Sequence, residues 1–188
     1  MAPVVAIMGP IGSGKSVQAR ILAEELGWQA VSTGSILREH IKEPGIDPAV
    51  VAALNAGHLV PSPYVHKVLL EKLRQLPADT GIVLDGSPRK PGEVHHLNED
   101  LPALGRKLNL VILLKLSREQ VEQRLAKRGR HDDQPETIKV RWAEYERDTL
   151  PTIELCRQQG LLREVDADAE PAVVQQRILE VLHAEHLA

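Results

Sequence analysis

Short apolar runs alternate with longer helix-like stretches along the chain of 188 residues. The apolar runs are predicted strands, at 4–8, 29–31, 82–84, 110–116 and 162–165. The stretches between and after them are predicted helices, at 15–26, 35–42, 48–56, 63–75, 93–104, 118–127, 136–159 and 171–186. Strands that alternate with helices predict a parallel sheet covered by helices on both faces. The ligand crevice of such a sheet lies at the carboxyl ends of its strands, so residues that follow the strands are candidate site residues.

Pro151 falls inside the longest predicted helix, 136–159. Proline lacks the N–H that an α-helix requires, and its ring clashes with the preceding turn. We therefore predict that this helix is kinked or divided. No repeat or long linker interrupts the rest of the pattern, and the length suits a single α/β domain with a full core.

Residues 9–16 carry the strongest chemical signal. They read Gly-Pro-Ile-Gly-Ser-Gly-Lys-Ser and fit the phosphate-loop pattern G-x-x-x-x-G-K-[ST] between the first strand and the first helix. Glycines let the backbone wrap a polyphosphate, and the start of a helix presents N–H groups to it. Lys15 can reach the β- and γ-phosphates, and the Ser16 hydroxyl can bind Mg²⁺. The alternative is a plain glycine turn. The predicted loop residues are Gly9, Gly12, Ser13, Gly14, Lys15 and Ser16.

A second polar group, Asp85-Gly86-Ser87-Pro88-Arg89, follows the third predicted strand. An acid at the end of a strand beside a phosphate loop can organise Mg²⁺ through its water ligands. The planar guanidinium of arginine matches the geometry of phosphate. We therefore expect Asp85 and Arg89 to face the crevice. Thr33 and Arg38, which follow the second strand, are expected to line the same crevice, although Ser or Thr before a helix is also an ordinary N-cap.

Four arginines cluster toward the second half of the chain: Arg124, Arg128, Arg130 and Arg141. Arg124 and Arg128 are four residues apart on one predicted helix, where like charges cost roughly 0.2–0.5 kcal/mol. Anionic partners would offset this cost, either ligand phosphates or the carboxylates of Asp132 and Asp133. The alternative is a solvated basic face.

Composition narrows the class of protein further. Hydrophobic residues make up 43% and charged residues 26%, and the net charge of −3 gives no overall field that would attract nucleic acid. The chain has no Phe, which argues against base stacking on aromatic side chains. No signal sequence or membrane-spanning run is visible. The single cysteine cannot form an internal disulfide, which suits the cytosol. We expect a cytoplasmic monomer that binds neither nucleic acid nor membrane.

Taken together, these motifs resemble the adenylate kinases and related nucleoside monophosphate kinases, in their short-lid bacterial form. The similarity runs nearly end to end. It includes Gly57-His-Leu-Val-Pro61, which is similar to the family's G-x-L-V-P, and the segment 85–89, which is similar to D-G-[FY]-P-R. The matching segments are 9–18, 32–38, 57–61, 85–89, 124–133 and position 141.

The resemblance implies a P-loop NTPase-type α/β fold in one domain, 1–188, with a helical acceptor-binding insertion at 32–61 and a short lid at 129–135. It also implies Mg²⁺-dependent, reversible phosphoryl transfer from ATP to a nucleoside monophosphate, expected to be AMP, which yields two diphosphates for nucleotide biosynthesis. The implied catalytic residues are Lys15, Arg89, Arg128, Arg130 and Arg141.

The implied binding residues follow the same matches. ATP is held by the loop together with Arg124, near the adenine, and Arg128, near the phosphates. Asp132 and Asp133 orient the lid arginines. Ser16 and Asp85 hold Mg²⁺, mainly through water. The acceptor monophosphate is bound by Thr33, Gly34, Arg38, Leu59, Val60, Gly86, Arg89 and Glu93.

Three positions of the acceptor half depart from the family pattern. Ser35 replaces the usual Asp, Ser87 an aromatic residue, and Glu93 the usual Gln. An ionised Glu93 cannot donate to N1 of adenine, so we expect weakened use of AMP, with GMP or another monophosphate as competitor. Two further alternatives are a P-loop kinase of another small molecule, with Asp85 as general base, and a nucleotide-binding relative without catalysis.

Overall fold

The computed structural model describes residues 2–128 and 134–188, and the side chains of residues 127 and 128 lie outside that description. The strands are β1 (Val4–Met8), β2 (Gln29–Ser32), β3 (Ile82–Asp85), β4 (Leu108–Lys115) and β5 (Leu162–Asp166). The α-helices are α1 (Lys15–Leu26), α2 (Thr33–His40), α3 (Pro48–Asn55), α4 (Ser62–Arg74), α5 (Pro91–Asp100), α6 (Arg118–Arg128), α7 (Pro135–Glu144), α8 (Leu150–Gln158) and α9 (Pro171–Ala184). A 3₁₀ turn spans Leu101–Leu104, and a π-helical turn spans Tyr145–Thr149.

The strands form one sheet in the order β2-β3-β1-β4-β5, and every neighbouring pair is parallel. The predicted fold class is thus confirmed. Central strand β1 is apolar throughout and at most 3% exposed, because both faces of the sheet are covered by helices. The core on one face includes side chains of α4, α5 and α8, and the core on the other includes side chains of α1 and α9. Burial of each such apolar side chain contributes about 1.5–3 kcal/mol.

The candidate site lies at the carboxyl ends of the strands. Ile7 of β1 is in register with Asp85 of β3, and Ser32 of β2 is in register with the same residue. The residues that follow β1, β2 and β3 therefore emerge side by side at the carboxyl edge of the sheet. β1 has the predicted bounds, whereas β2, β3 and β5 are each one residue longer than predicted and end at Ser32, Asp85 and Asp166. β4 also begins earlier than predicted, and Asn109 lies inside it, where its side-chain oxygen accepts a hydrogen bond from the Val4 N–H.

The long predicted helix is divided, as the sequence predicts. The π-helical turn Tyr145–Thr149 separates α7 from α8, and Pro151 lies in the first turn of α8, where a missing N–H costs least. The buried hydroxyl of Thr152 donates to the carbonyl of Asp148 at 2.7 Å and lies 3.0 Å from the carbonyl oxygen of Arg89. Thr152 therefore links the π-helical turn to one of the candidate site segments.

Two further observations bear on function. Cys156 on α8 is fully buried, and burial raises the pKa of its thiol to about 11, so the thiol is protonated at neutral pH and packs as a small apolar side chain. Among the described helices, none has the length and hydropathy needed to cross a bilayer.

Candidate active site

A cavity of about 720 Å³ opens at the carboxyl edge of the sheet. Its walls come from the loop after β1, the start of α2, the turn that joins α3 to α4, the turn after β3, and the inner face of α7. The volume falls within the range of small-molecule sites. Most of the residues that the sequence predicts to be functional meet here.

The loop after β1 has a backbone that depends on glycine. Gly9 has a φ of 147°, and a Cβ there would lie only 2.8 Å from the carbonyl oxygen of Leu114. Gly14 has a φ of 92°, the left-handed conformation that directs the chain into α1. The ammonium group of Lys15 donates to the carbonyls of Gly9 at 2.8 Å and Pro10 at 2.6 Å, so the cation lies over the loop. This arrangement gives a cradle of N–H groups with a positive charge beside it.

The hydroxyl of Ser16 donates to Oδ2 of Asp85 over 2.6 Å. Asp85 is only 5% exposed and stands at the end of β3. A hydroxyl and a carboxylate are the hard oxygen ligands that Mg²⁺ prefers, and Mg²⁺ usually takes only one or two such groups from a protein, the others being water and phosphate. These two residues therefore fit the predicted magnesium site.

The opposite part of the cavity carries the predicted acceptor residues. Thr33 is buried, and its Oγ1 has no hydrogen-bond partner among the residues that the structure describes. The Arg38 guanidinium lies against Gly34, where a Cβ would come 3.3 Å from its Nη1, and donates to the Ser35 hydroxyl at 3.3 Å. A buried hydroxyl that lacks a partner, next to a cation, suits an anionic ligand.

Arg89 completes the cationic part of the acceptor group. Its Nη2 lies 3.5 Å from the position that a Cβ on Gly86 would occupy, and the Thr33 Cβ lies 3.8 Å from that same position. Burial lowers the pKa of the Arg89 guanidinium, and the nearby Asp85 and Glu93 carboxylates oppose the shift. Arginine stays protonated in proteins, so Arg89 supplies a cation at the base of the cavity.

Glu93 on α5 lines the same cavity and is 5% exposed. Its Oε2 accepts hydrogen bonds from the Ser87 hydroxyl at 2.8 Å and from the Arg89 N–H at 2.9 Å. Burial raises the pKa of the Glu93 carboxyl, while these two hydrogen bonds and the charges of Arg89 and Lys90 oppose the rise. Two of the three unusual acceptor-side residues are therefore in direct contact with each other.

The cavity brings together fourteen of the predicted site residues. Ser13 and Gly14 belong to the loop but do not line the cavity, although the Ser13 hydroxyl lies 3.4 Å from the Lys15 ammonium. The fourteen are Gly9, Gly12, Lys15, Ser16, Thr33, Gly34, Arg38, Leu59, Val60, Asp85, Gly86, Arg89, Glu93 and Arg141.

The predicted lid and its arginines are only partly observed. Arg124 on α6 does not line the cavity. Its guanidinium donates instead to the carbonyls of Ala167 at 2.6 Å and Ala169 at 3.2 Å, which holds the β5–α9 connection against α6. Residues 129–133, and hence Arg130, Asp132 and Asp133, lie outside the described residues, as does the side chain of Arg128. The predicted lid ended at residue 135, but Pro135 is already the first residue of α7.

Glu144 is a polar cavity residue that the sequence analysis missed. Glu144, at the end of α7, is 5% exposed and bonds to both His58 and Leu59. The helical spacing offered a signal, because Glu144 is three residues after Arg141 and seven after Thr137, which places all three on one helix face. The partner could not be predicted, because His58 lies 86 positions earlier in the chain.

Comparison with known proteins agrees with this geometry. The sequence model described as "Adenylate kinase" matches residues 7–161, which include the loop, the acceptor side and α7. The chain belongs to the adenylate kinase family. It is 39% identical to the adenylate kinase of Clavibacter michiganensis over 181 residues, which cover 94% of this chain and 90% of that protein. It is 36% identical to the adenylate kinase of Thermobifida fusca over 183 residues, 95% and 97% of the two chains.

Membership of the adenylate kinase family accounts for the arrangement of the cavity. The chain is also 40% identical to the adenylate kinase of Leifsonia xyli over 165 residues, which cover 85% of this chain and 83% of that protein. The chain is therefore a phosphotransferase of this family, with a P-loop NTPase-type fold.

Proposed function

We propose that the protein transfers the γ-phosphoryl group of ATP reversibly to AMP, so that two molecules of ADP form. The observation that carries this proposal is the shared cavity: the phosphate loop with Lys15 and the acceptor group around Arg38 and Arg89 open into the same space. A phosphoryl donor on one side would then face a phosphate acceptor on the other.

The proposed reaction requires the protein mainly to position the two substrates and to supply positive charge. The acceptor is already an anionic phosphate, so no side chain has to remove a proton from it. The cations neutralise the charge of the transferring group and hold donor and acceptor in line. We assign this role to Lys15, Arg89 and Arg141 of the described residues, together with Arg128 and Arg130. Closure of the predicted lid, which precedes α7, would exclude water, which otherwise competes as acceptor.

Mg²⁺ is the expected cofactor. Ser16 and Asp85 would hold it at the foot of the phosphate loop, the carboxylate mainly through water. When bound, Mg²⁺ supplies positive charge that offsets the negative charge of the phosphates. The protein residues orient this site through the hydrogen bond from the Ser16 hydroxyl to Asp85.

A coupled assay with ATP and each of AMP, GMP, CMP and UMP tests the proposed function. We expect turnover that requires Mg²⁺ and is fastest with AMP. Binding of ATP without turnover on any monophosphate would contradict it, and so would turnover only on a non-nucleotide acceptor.

A second candidate acceptor follows from the contact between Ser87 and Glu93. These contacts occupy Oε2 and leave Oε1 for a ligand. An ionised Oε1 only accepts hydrogen bonds, and guanine offers N–H donors at N1 and N2, whereas adenine has an acceptor at N1. The same panel decides between AMP and GMP.

We further propose that the enzyme is a monomer in the cytoplasm, which size-exclusion chromatography and fractionation would test.

A further inference from the structure

The turn between α3 and α4 is attached to α7 by one carboxylate. Oε1 of Glu144 lies 2.9 Å from Nδ1 of His58, and Oε2 accepts the Leu59 N–H at 2.7 Å. The Glu144 side chain is 6% exposed, whereas that of His58 is 51% exposed. Both oxygens of a buried carboxylate are therefore used on a single short segment, residues 57–59. Arg147, in the π-helical turn, brings a cation to 3.6 Å from Oε1.

The same face of α7 also packs against this segment through other side chains. A Cβ on Gly57, which has a φ of 83°, would lie 2.9 Å from Cγ2 of Thr137 and 3.4 Å from Nε of Arg141. Thr137, Arg141 and Glu144 all line the cavity, as do residues 57–60. The helix face that holds Arg141 in the cavity is thus the face that Glu144 fixes to the acceptor side.

We propose that Glu144 is a positioning residue for phosphoryl transfer, which acts by holding Arg141 and the 57–59 segment in one fixed relation. This inference rests on the proposed kinase activity and deepens it. Glu144 reaches the segment through two hydrogen bonds made by one side chain, so its loss frees the turn and the helix to separate. A displacement of about 1 Å at a group that acts on the transferring phosphate can lower the rate about 100-fold.

A double-mutant cycle between Glu144 and Arg141 tests the proposal. We expect Glu144→Ala to lower kcat by about 10- to 100-fold and to raise the KM for AMP. The KM for ATP should change by less than about threefold, because the hydrogen bonds of Glu144 go to His58 and Leu59 and not to the loop 9–16. In an Arg141→Ala background, Glu144→Ala should lower kcat little further, since the residue through which it acts is already gone. Effects on kcat that multiply independently would overturn the proposal.

Two variants separate positioning from a loss of folding or of charge. Glu144→Gln keeps an oxygen for the Leu59 N–H and an amide N–H for the neutral tautomer of His58, so it should recover most of the activity. A loss equal to that of alanine would assign the effect to the negative charge and overturn the proposal. Glu146→Ala is the matched control, because the exposed Glu146 carboxylate bonds to Trp142 at 3.0 Å outside the cavity, and it should stay within about twofold of the parent.

Thermal unfolding of each variant and the activity of the parent enzyme are the remaining controls. Each variant is assayed only at temperatures below its own unfolding transition, so the kinetic changes refer to folded protein. If the parent fails to turn over ATP with AMP, the proposed function fails. If the parent is active and Glu144→Ala retains the parental kcat, the function stands and the positioning role of Glu144 is overturned.

Discussion

The Ser87 hydroxyl donates to Oε2 of Glu93 over 2.8 Å, and both side chains are buried in the wall of the acceptor side. The Arg89 N–H donates to the same oxygen at 2.9 Å. One carboxylate oxygen is therefore committed to the protein, and Oε1 is the atom of Glu93 that can meet a ligand. The protonation state of this group decides whether that atom donates or only accepts a hydrogen bond.

The first prediction concerns Glu93 and pH. A protonated Glu93 can donate to N1 of adenine, whereas the ionised form sets an acceptor against that lone pair at a cost of roughly 1–3 kcal/mol. Because burial raises the pKa of this carboxyl, we expect kcat/KM for AMP to increase as the pH falls from about 8 toward the raised pKa. Glu93→Gln should remove this dependence. Steady-state kinetics with both proteins from pH 8 to pH 6 measure it.

The preference for AMP over GMP provides a second test of the role of Glu93. In the Glu93→Gln variant, the ratio of kcat/KM for AMP to that for GMP should rise by about five- to 150-fold at neutral pH, the equivalent of 1–3 kcal/mol. If the parent already prefers AMP by more than about 100-fold and Glu93→Gln changes nothing, Glu93 does not contact the base.

The second prediction concerns the phosphate loop. Lys15→Met should lower kcat at least about 100-fold, because it removes a charge that acts on the transferring phosphates. The fold should be retained, since water can replace the lysine ammonium at the loop carbonyls of Gly9 and Pro10. Circular dichroism and thermal unfolding verify the preparation. Turnover within tenfold of the parent would remove the loop from its assigned role.

The third prediction concerns Arg130 and Arg141, the two arginines proposed to act at the transfer step. Arg141→Ala and Arg130→Ala should each lower kcat more than they raise the KM for ATP, because both are assigned to the transfer step rather than to ground-state binding. Initial rates over a grid of ATP and AMP concentrations separate the two constants. Variants with a raised KM and an unchanged kcat would make these arginines ground-state binding residues.

The fourth prediction concerns the interface between α4 and α5. The ring of His66 packs against that of His96 at a tilt of 32°, with centroids 4.3 Å apart, and its Nε2 lies 2.9 Å from Asp100. Burial and the charge of His96 lower the pKa of His66, with a smaller contribution from Arg74, and Asp100 and Glu99 oppose the shift. The folded state therefore binds fewer protons here than the unfolded state.

The sign of the effect on stability follows from this difference. The contribution of neutral His66 is complete above the unfolded pKa of about 6.5 and is lost as the pH falls below it toward the lowered folded value. The Tm of the parent should thus drop between about pH 7.5 and pH 5.5, and His66→Gln should make that drop shallower. His95→Gln is the control, because His95 is 70% exposed and pairs with Glu99 on its own helix. An equal change in both variants would contradict the prediction.

Local sequence patterns were sufficient for the sheet, the phosphate loop and the turn at Asp85, because each is specified by residues that are close in the chain. The hydrogen bond from the Asn109 side chain to the β1 backbone was not predictable, since it depends on two strands 105 positions apart becoming neighbours. For the same reason, the sequence did not predict the contact of Glu144 with His58. It also did not predict the hydrogen bond from Arg124 to the carbonyl of Ala167. Long-range polar contacts of this kind need the assembled fold.

The π-helical turn at Tyr145–Thr149 sets the rotational phase between two helices. A π-helical turn holds one residue more than an α-helical turn, and one residue corresponds to about 100° of rotation around a helix. Deletion of a single residue within this turn would leave Ile153 and Cys156 of α8 in the core, yet rotate α7 so that Arg141 turns away from the cavity. The extra residue thus sets the orientation of the cavity-lining face of α7 independently of the packing of α8 in the core.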